Sequence, residues 1–282
     1  MSQFYFMSGL PRSGSTLISS ILNQNPEIHA SANSPMCGMM FNLERSILAS
    51  EQYNAYPKPQ VMSKTVFGVL ENYYSDVDNK FIVDKSREWS VQEHFGVLLR
   101  NLPYKPKVIL PVRDITDILA SFINLVHQNP NKPSFIDQEI QARQEFNFYR
   151  PIDDIRCDHL MRPKGLIDNA LYGIAYAMLE ENREYFHVVE YEDLLSNPKD
   201  TVDKIYEFFG IEKFEHDFSN IKNTVKEDDK IYGLDGMHEV RPVVSRSKIN
   251  KQELLSTYVL NKYSNMEFWR AVTNDRSNES TL

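Results

Sequence analysis

"FMSGLPRSGST", residues 6–16, has the outline of a phosphate-binding loop with one residue changed. The general pattern is a strand, then G-x-x-x-x-G-K-[ST], then a helix, and Gly9, Gly14 and Thr16 keep its spacing. Ser15 stands where the pattern requires lysine. Short glycine patterns also occur in plain strand-to-helix connections, so the loop alone leaves both interpretations open. In either case the segment predicts a strand, a tight turn and a helix, which is the first unit of an α/β fold.

Arg12 supplies a cation from inside this loop. In a nucleoside triphosphatase, the missing lysine would neutralise the outer phosphates while the Ser/Thr hydroxyl holds Mg²⁺. Backbone N–H groups at a helix N-terminus still attract an anion, and glycines let the backbone approach it closely. A cation in the middle of the loop suits a 5′-phosphate that carries a less charged group. The loop therefore favours a ligand other than a nucleoside triphosphate.

Apolar runs and helical spacing alternate along the rest of the chain. Short buried strands are predicted at 3–8, 80–84, 107–112 and 186–190. Helices are predicted at about 15–24, 63–75, 90–100, 115–128, 168–184 and 198–209. The stretch 27–41, "EIHASANSPMCGMMF", has no clear period and is predicted to be a loop. This alternation predicts an α/β three-layer sandwich with a central parallel sheet.

Two regions depart from the alternating pattern. Residues 129–165 carry four prolines and many charges, which predicts an insertion or lid with one amphipathic helix. Residues 222–248 are polar and contain glycine, which predicts a long surface loop. A final helix is predicted near 251–261. We expect residues 1–282 to form a single domain with these two additions.

The composition argues against several other classes of protein. With 282 residues, 41% hydrophobic and 25% charged, the chain suits one large α/β domain. A net charge of −8 argues against a protein that coats nucleic acid. The two cysteines lack metal-ligand spacing, which argues against zinc and disulfides and favours the reducing cytoplasm. No apolar run approaches the roughly 18 residues of a membrane helix. We therefore expect a cytoplasmic protein without a membrane span, a metal or a nucleic-acid partner.

A second anion site is predicted in "VILPVRDITDILASFINL", residues 108–125. Arg113 ends the buried strand there, and Ser121 follows on the helix. Ligands of open α/β sheets bind at the carboxyl ends of the strands, where the first loop also lies. A guanidinium and a hydroxyl can clamp a second phosphate, although Arg113 can instead pair with Asp114 or Asp117. Two sites on adjacent strands imply a ligand that is phosphorylated twice.

These two segments resemble the donor-binding motifs of PAPS-dependent sulfotransferases, where PAPS is 3′-phosphoadenosine 5′-phosphosulfate. "LPRSGSTL" resembles the 5′-phosphosulfate loop, and "VRDITDILASF" resembles the 3′-phosphate motif. The loop is closest to those of tyrosylprotein sulfotransferases and bacterial members, because Arg12 replaces a lysine of the cytosolic enzymes. The resemblance implies that PAPS is the co-substrate and that no metal is needed. The implied contacts of the 5′-phosphosulfate are Arg12, Ser13, Gly14, Ser15, Thr16 and Leu17, and those of the 3′-phosphate are Arg113 and Ser121.

Three later segments are similar to the same family in the same order. "IVDKSREW" resembles a motif whose lysine, here Lys85, approaches the sulfo group. "YEDLLSNPKDTVDKIYEFFGI", residues 191–211, resembles a segment whose tyrosine, here Tyr191, lies near the nucleotide. "HEVRPVVSRSK" resembles the segment that closes over the nucleotide, and it implies contacts from Arg241 and Lys248. The resemblance thus extends from residue 4 to about residue 250.

The general base departs from the family pattern. Tyrosylprotein sulfotransferases use a glutamate after the loop, and the corresponding position falls at Ala32 or Asn33. Neither side chain is a base, so the nearest candidates are His29, Glu44 and Asp84. For the remaining histidines, surface or packing roles are predicted: His94, His127, His159, His187, His216 and His238.

Taken together, the residues favour sulfo transfer from PAPS to an acceptor hydroxyl or amine. Such transfer needs cations and N–H groups but no Mg²⁺, since a sulfo group carries less charge than a phosphoryl group. The acceptor, whether a saccharide, a peptide tyrosine, a lipid or a small metabolite, is left open, as is homodimer formation. The alternatives are a P-loop nucleotide kinase or NTPase, and a nucleotide-binding relative without catalysis.

Overall fold

The centre of the fold is a sheet of five parallel strands. The computed structural model describes residues 2–145, 149–246 and 249–271. The strands are β1 (Gln3–Met7), β2 (Ile28–Asn33), β3 (Phe81–Lys85), β4 (Val108–Val112) and β5 (Phe186–Glu190). Their order in space is β2-β3-β1-β4-β5, with every neighbouring pair parallel. β1 is therefore central, and the chain leaves it in opposite directions along the sheet. This switch point is where open α/β sheets bind their ligands.

Helices connect the strands and cover the sheet. They are α1 (Ser15–Leu22), α2 (Met36–Leu48), α3 (Glu51–Ala55), α4 (Pro59–Tyr73), α5 (Gln92–Asn101), α6 (Ile115–Gln128), α7 (Phe135–Arg143), α8 (Ile152–Leu160), α9 (Leu166–Ala177), α10 (Tyr191–Ser196), α11 (Pro198–Phe209), α12 (Lys251–Leu254) and α13 (Thr257–Tyr263). Two 3₁₀ helices add Glu180–Tyr185 and Asp229–Tyr232. Among the helices of the described ranges, none is both long and apolar enough to cross a membrane.

Both faces of β1 are buried, because its side chains alternate between two cores. On one face, Phe6 packs edge-on against Trp89, with the ring centres 5.0 Å apart. On the other face, Tyr5 stacks on Phe209 of α11 at 4.1 Å. Helices must cover both faces of a strand that is apolar on both sides. The predicted three-layer α/β sandwich is confirmed.

The prediction of a loop at 27–41 was wrong. This stretch forms strand β2 and the start of α2. β2 lies at the edge of the sheet and pairs only with β3. An edge strand needs less apolar character than a central one, so "IHASAN" gives a weak signal in the sequence. The correction matters for the site, because β2 ends at Asn33.

Three helix predictions also needed correction. The described part of 129–165 contains two helices, α7 and α8, where one was predicted. Each has its own start signal, because Ser134 and Asp137 form a capping box for α7 and Pro151 precedes α8. The helix predicted at 168–184 ends at Ala177 and is followed by a 3₁₀ helix. The helix predicted near 251–261 is divided into α12 and α13.

Candidate functional site

The loop after β1 contains three residues with a left-handed backbone. The φ angle is 91° at Gly9, 58° at Arg12 and 88° at Gly14. A Cβ at Gly9 would lie 2.4 Å from the carbonyl oxygen of Pro111 on β4. A Cβ at Gly14 would lie 2.9 Å from the Tyr191 ring. Glycine is therefore required at both positions, whereas Arg12 adopts its conformation at a cost of about 1–2 kcal/mol. A strained residue of this kind often marks a functional site.

The Arg12 guanidinium connects the loop to two distant segments. Its Nε donates to Ser121 Oγ on α6 at 3.1 Å, and its Nη1 donates to the backbone oxygen of Met237. Both acceptors are uncharged, so these contacts leave the positive charge unneutralised. Burial and, secondly, the neighbouring Arg113 cation lower the pKa of Arg12 to about 10. The guanidinium is thus still charged at neutral pH.

Arg113 lies against the same loop. Its Nη1 donates to the Arg12 carbonyl oxygen at 3.1 Å, and its guanidinium lies 4.4 Å from the centre of the Tyr191 ring. Its Nε is buried without a hydrogen-bond partner in the described part of the chain. Asp114 accepts instead from the N–H of Asp117 at 2.9 Å and caps α6. The Arg113 guanidinium thus contacts the loop backbone close enough for its charge to act on Arg12, and an anionic ligand would stabilise these two cations.

These residues form one wall of a cavity of about 610 Å³. Nine predicted donor contacts line it: Arg12, Gly14, Ser15, Thr16, Leu17, Arg113, Ser121, Tyr191 and Arg241. The hydroxyl of Ser13 faces the interior of the fold, at 2.6 Å from the carbonyl oxygen of Leu10 and 3.0 Å from that of Pro111. Lys248 falls outside the described residues. The volume lies within the usual range for a small-molecule site.

A second cavity, of about 410 Å³, adjoins the first. The residues that line both are Asn33, Arg87, Phe135, Glu139, Leu166 and Tyr232. We call this shared wall the junction. Arg87 is not within ion-pair distance of a carboxylate in the described ranges, and burial lowers the pKa of its guanidinium. Arg162 and Lys164 line the smaller cavity, so its wall includes part of the predicted 129–165 insertion.

Lys85 is buried behind the junction. Only 2% of the residue is exposed, and its Nζ lies 3.3 Å from Glu227 Oε1. The Nδ2 of Asn33 lies 3.0 and 2.9 Å from the two Glu227 oxygens. Burial lowers the pKa of Lys85, although the Glu227 carboxylate opposes this. Burial raises the pKa of Glu227, but Lys85 and Asn33 outweigh it and lower that pKa overall. The lowered pKa of Glu227 favours its carboxylate form, which faces the Lys85 Nζ and the Asn33 amide.

His238 lines the larger cavity next to Asn33. Its Nδ1 lies 2.5 Å from Asp229 Oδ1, and its backbone N–H donates to Asp229 Oδ2 at 2.9 Å. Its Nε2 lies 3.5 Å from Asn33 Nδ2. Burial lowers the pKa of His238, which makes the imidazole neutral at pH 7.

The three predicted base candidates do not line either cavity. His29 is the second residue of β2, four residues or about 13 Å along the strand from Asn33. Its ring packs on Tyr74. Glu44 is bound by Arg100, at 3.0 and 2.5 Å, and by Asn101 at 2.7 Å. Asp84 is fully buried.

Asp84 accepts from Tyr74 Oη and from Trp89 Nε1, both at 2.6 Å. Burial raises the pKa of its carboxyl group. The contacts of His29, Glu44 and Asp84 are those of residues that hold the fold together.

Sequence reasoning missed four residues near the junction: Arg87, Glu227, Asp229 and His238. Arg87 lies within the quoted segment "IVDKSREW", two residues after Lys85. His238 begins the quoted segment "HEVRPVVSRSK". Both residues could therefore have been predicted as site residues from the motifs that contain them. Glu227 gave no signal because its contacts with Asn33 and Lys85 span 194 and 142 positions of sequence. Asp229 lies nine positions before His238, and no recognised motif includes that spacing.

One group of described residues has the spacing of metal ligands, although no metal was predicted. Ligand atoms of Cys37, Glu88 and His94 lie within 4.8 Å of one another. Glu88 lines the smaller cavity, whereas Cys37 lies in the core that covers one face of the sheet. None of the predicted donor contacts belongs to this group.

Comparison with known proteins identifies the family. The sulfotransferase family pattern matches residues 5–216. A sulfotransferase domain from the curacin biosynthetic pathway has a similar structure, with a TM-score of 0.53, 12% identity, and 98% of each chain covered. Mouse sulfotransferase SULT7A1 complexed with PAP also gives a TM-score of 0.53 at 12% identity, covering 98% of this chain and 89% of the mouse chain. No curated protein sequence matches. The match over most of the chain, in the region that contains both predicted anion sites, shows that this protein belongs to the sulfotransferase family.

Proposed function

We propose that this protein transfers a sulfo group from PAPS to a hydroxyl or amine of an acceptor. The observation that carries the proposal is the pair of adjacent guanidinium groups, Arg12 and Arg113, on the wall of the larger cavity. Their contacts with uncharged oxygens and with a ring leave both charges available to a ligand. A nucleotide with a phosphate at each end would neutralise both.

The loop and α6 would hold the two ends of the donor. Backbone N–H groups from Ser13 to Leu17 and the Arg12 guanidinium would bind the 5′-phosphosulfate. Arg113 and Ser121 would bind the 3′-phosphate. The buried Nε of Arg113, which lacks a partner in the described ranges, fits this role because a phosphate oxygen can accept from it. Tyr191 would fix the Arg113 guanidinium, and Arg241 would close the far wall.

The junction would be the position of sulfo transfer. Arg87, which belongs to the junction, and Arg12, which lines the larger cavity, would stabilise negative charge there. Lys85, which was predicted to approach the sulfo group, is held by Glu227 in the structure. We propose that it acts from behind the junction, adding positive potential and fixing the Glu227 carboxylate.

The smaller cavity would admit the acceptor. Its wall comes partly from 129–165, and the larger cavity is lined partly by 232–245. We therefore retain the proposal of a single domain in which 129–165 shapes the acceptor entrance and 222–248 closes over the nucleotide. Holding donor and acceptor in line at the junction would contribute much of the rate acceleration.

Calorimetric titration tests the proposal. The protein is titrated with adenosine 3′,5′-bisphosphate in EDTA, and separately with ATP and Mg²⁺. We expect micromolar or tighter binding of the bisphosphate without metal and weaker binding of Mg²⁺-ATP. Tight binding of Mg²⁺-ATP together with no response to the bisphosphate would refute the proposal in favour of a kinase or NTPase. If the protein binds the bisphosphate but neither transfers the sulfo group of PAPS to an acceptor nor hydrolyses PAPS to sulfate, the result would favour a non-catalytic relative.

A further inference from the structure

An aspartate–histidine pair faces the junction from the 222–246 segment. Asp229 contacts His238 twice, through the ring Nδ1 at 2.5 Å and through the backbone N–H at 2.9 Å. This double contact fixes both the position of the ring and its rotation. The Met237 carbonyl next to it accepts from Arg12, which ties the segment to the phosphate loop. The imidazole is thus held rigidly beside the expected position of the sulfo group.

The contacts of the ring determine which nitrogen carries the proton. A carboxylate only accepts hydrogen bonds, so Nδ1 must be the donor to Asp229. In a neutral imidazole the Nε2 lone pair is then free. Nε2 lies 3.5 Å from the Asn33 amide nitrogen, beyond a good hydrogen bond, and His238 lines the larger cavity. An aspartate that orients a histidine in this way is the arrangement that makes imidazole a general base.

Glu227 is the other base near the junction, and its contacts argue against that role. Its carboxylate is paired with Lys85 at 3.3 Å and with the Asn33 amide at 3.0 and 2.9 Å. Asn33, whose Nδ2 makes the last two contacts, is one of the two positions, with Ala32, at which the family resemblance would put a glutamate. A carboxylate stabilised by a cation and an amide has little tendency to take a proton. Glu227 therefore acts as a counter-charge.

We infer that His238 is the general base of the proposed sulfo transfer and that Asp229 positions it. The inference rests on the proposed function. His238 Nε2 takes the proton from the acceptor hydroxyl or amine as the acceptor atom forms its bond to sulfur. The bond between sulfur and the bridging oxygen breaks, and its electron pair stays on the 5′-phosphate of adenosine 3′,5′-bisphosphate. The proton, the sulfo group and the charge are thereby all accounted for.

The pH dependence follows from the charges around the ring. Asp229, Glu227 and Lys85 act on His238, the Tyr232 ring lies 6.1 Å from its ring, and Arg87 lines the same cavity. Burial lowers the pKa of His238, and the Asp229 and Glu227 carboxylates oppose this. The base is active when it is unprotonated, so transfer should be constant at neutral pH. It should fall tenfold per pH unit once the pH drops below the histidine pKa, under its usual value near 6.5.

Release of sulfate from PAPS to water is the first readout, since water is an acceptor that is always present. The variants are His238→Gln and Asp229→Asn, with Glu227→Gln for comparison. His127→Gln is the matched control, because His127 lies 2.8 Å from Asp153 in another aspartate–histidine pair outside both cavities. Bisphosphate affinity and thermal melting are measured for each variant. A second readout is the ¹⁵N NMR spectrum of wild-type His238 at pH 7, which needs neither nucleotide nor activity.

We expect His238→Gln to lose about 100-fold or more in rate with bisphosphate affinity changed less than threefold. Imidazole added to His238→Ala should restore part of the rate. Asp229→Asn should slow transfer at least tenfold and move the acid limb of the pH profile to lower pH, because a carboxylate that favours the charged ring is gone. The NMR spectrum should show a neutral ring protonated at Nδ1.

Three results would overturn the inference. The first is a wild-type transfer rate in His238→Gln. The second is a loss of transfer in Glu227→Gln while His238→Gln keeps its rate. The third is an NMR spectrum in which the His238 imidazole at pH 7 is cationic or carries its proton on Nε2. Any of these obtained with a protein that binds the bisphosphate would leave the sulfotransferase proposal intact. Absence of bisphosphate binding by the wild-type protein would instead count against the proposed function, and the NMR result would still decide the state of the ring.

Discussion

Arg113→Ala should remove most of the binding energy of the nucleotide 3′-phosphate. Two opposite unit charges about 4 Å apart interact by about 4 kcal/mol at the effective dielectric constant of a partly buried site. Arg113 is only 9% exposed, so ligand binding adds little to the free-energy cost of desolvating its guanidinium. Allowing for the solvation of the phosphate, we expect a loss of about 2–4 kcal/mol, which is roughly 30-fold to several-hundred-fold in Kd.

A pair of ligands makes this prediction specific. Adenosine 3′,5′-bisphosphate and adenosine 5′-phosphate are titrated by calorimetry into wild-type protein and into Arg113→Ala. The wild type should prefer the bisphosphate by roughly the predicted factor, and the variant should bind both ligands with similar affinity. Arg45→Ala is the control, because Arg45 is an exposed arginine on α2 that lines neither cavity. Equal losses for both ligands would mean that Arg113 supports the fold or the 5′ end, and the assignment would be wrong.

Two further substitutions test how the scaffold supports the site. Gly14→Ala should lower the melting temperature by several degrees and weaken bisphosphate binding, because its Cβ would meet Tyr191 at 2.9 Å and its φ is 88°. Gly38→Ala, with open space at its Cβ in α2, should be neutral or stabilising, and equal melting of the two would contradict the argument. Asp84→Asn should gain stability relative to wild type as pH rises above about 4, the unfolded value. Burial raises the pKa of the Asp84 carboxyl, so the folded wild type keeps this proton at pH values where the unfolded chain has lost it. Wild-type stability therefore falls between the unfolded pKa and the raised folded pKa, which Asp84→Asn avoids; urea unfolding at pH 4 and pH 8 should detect the change, and a constant difference would refute it.

Local patterns predicted most of the scaffold. β1, the loop and α1 follow from neighbouring residues, as do β4 and α6, whose predicted ends agree closely with the structure. β2 was missed because an edge strand, paired on one side, does not need a continuous apolar run. The second helix in 129–165 was missed because the two helices were read as one pattern.

The junction could not be predicted in the same way. Asn33 contacts Glu227 across 194 positions of sequence and His238 across 205. No spacing or period encodes such contacts, since they depend on how the 222–246 segment packs over the carboxyl ends of the strands. The base candidates predicted from the sequence, His29, Glu44 and Asp84, are close to the loop along the chain, and none of them lines either cavity.

The contacts of Arg12 explain how these distant parts can form one site. Its guanidinium contacts Ser121, a proposed 3′-phosphate ligand, and the Met237 carbonyl beside His238, so one side chain adjoins both proposed anion sites and the proposed base. A carboxylate partner in place of these neutral oxygens would have offset the charge that an anionic donor requires. The left-handed backbone of Arg12 costs about 1–2 kcal/mol, which is less than the several kcal/mol that an unneutralised charge can contribute to anion binding. Replacing lysine at position 15 by serine while retaining an arginine at position 12 therefore moves the loop's charge toward the segment that carries His238.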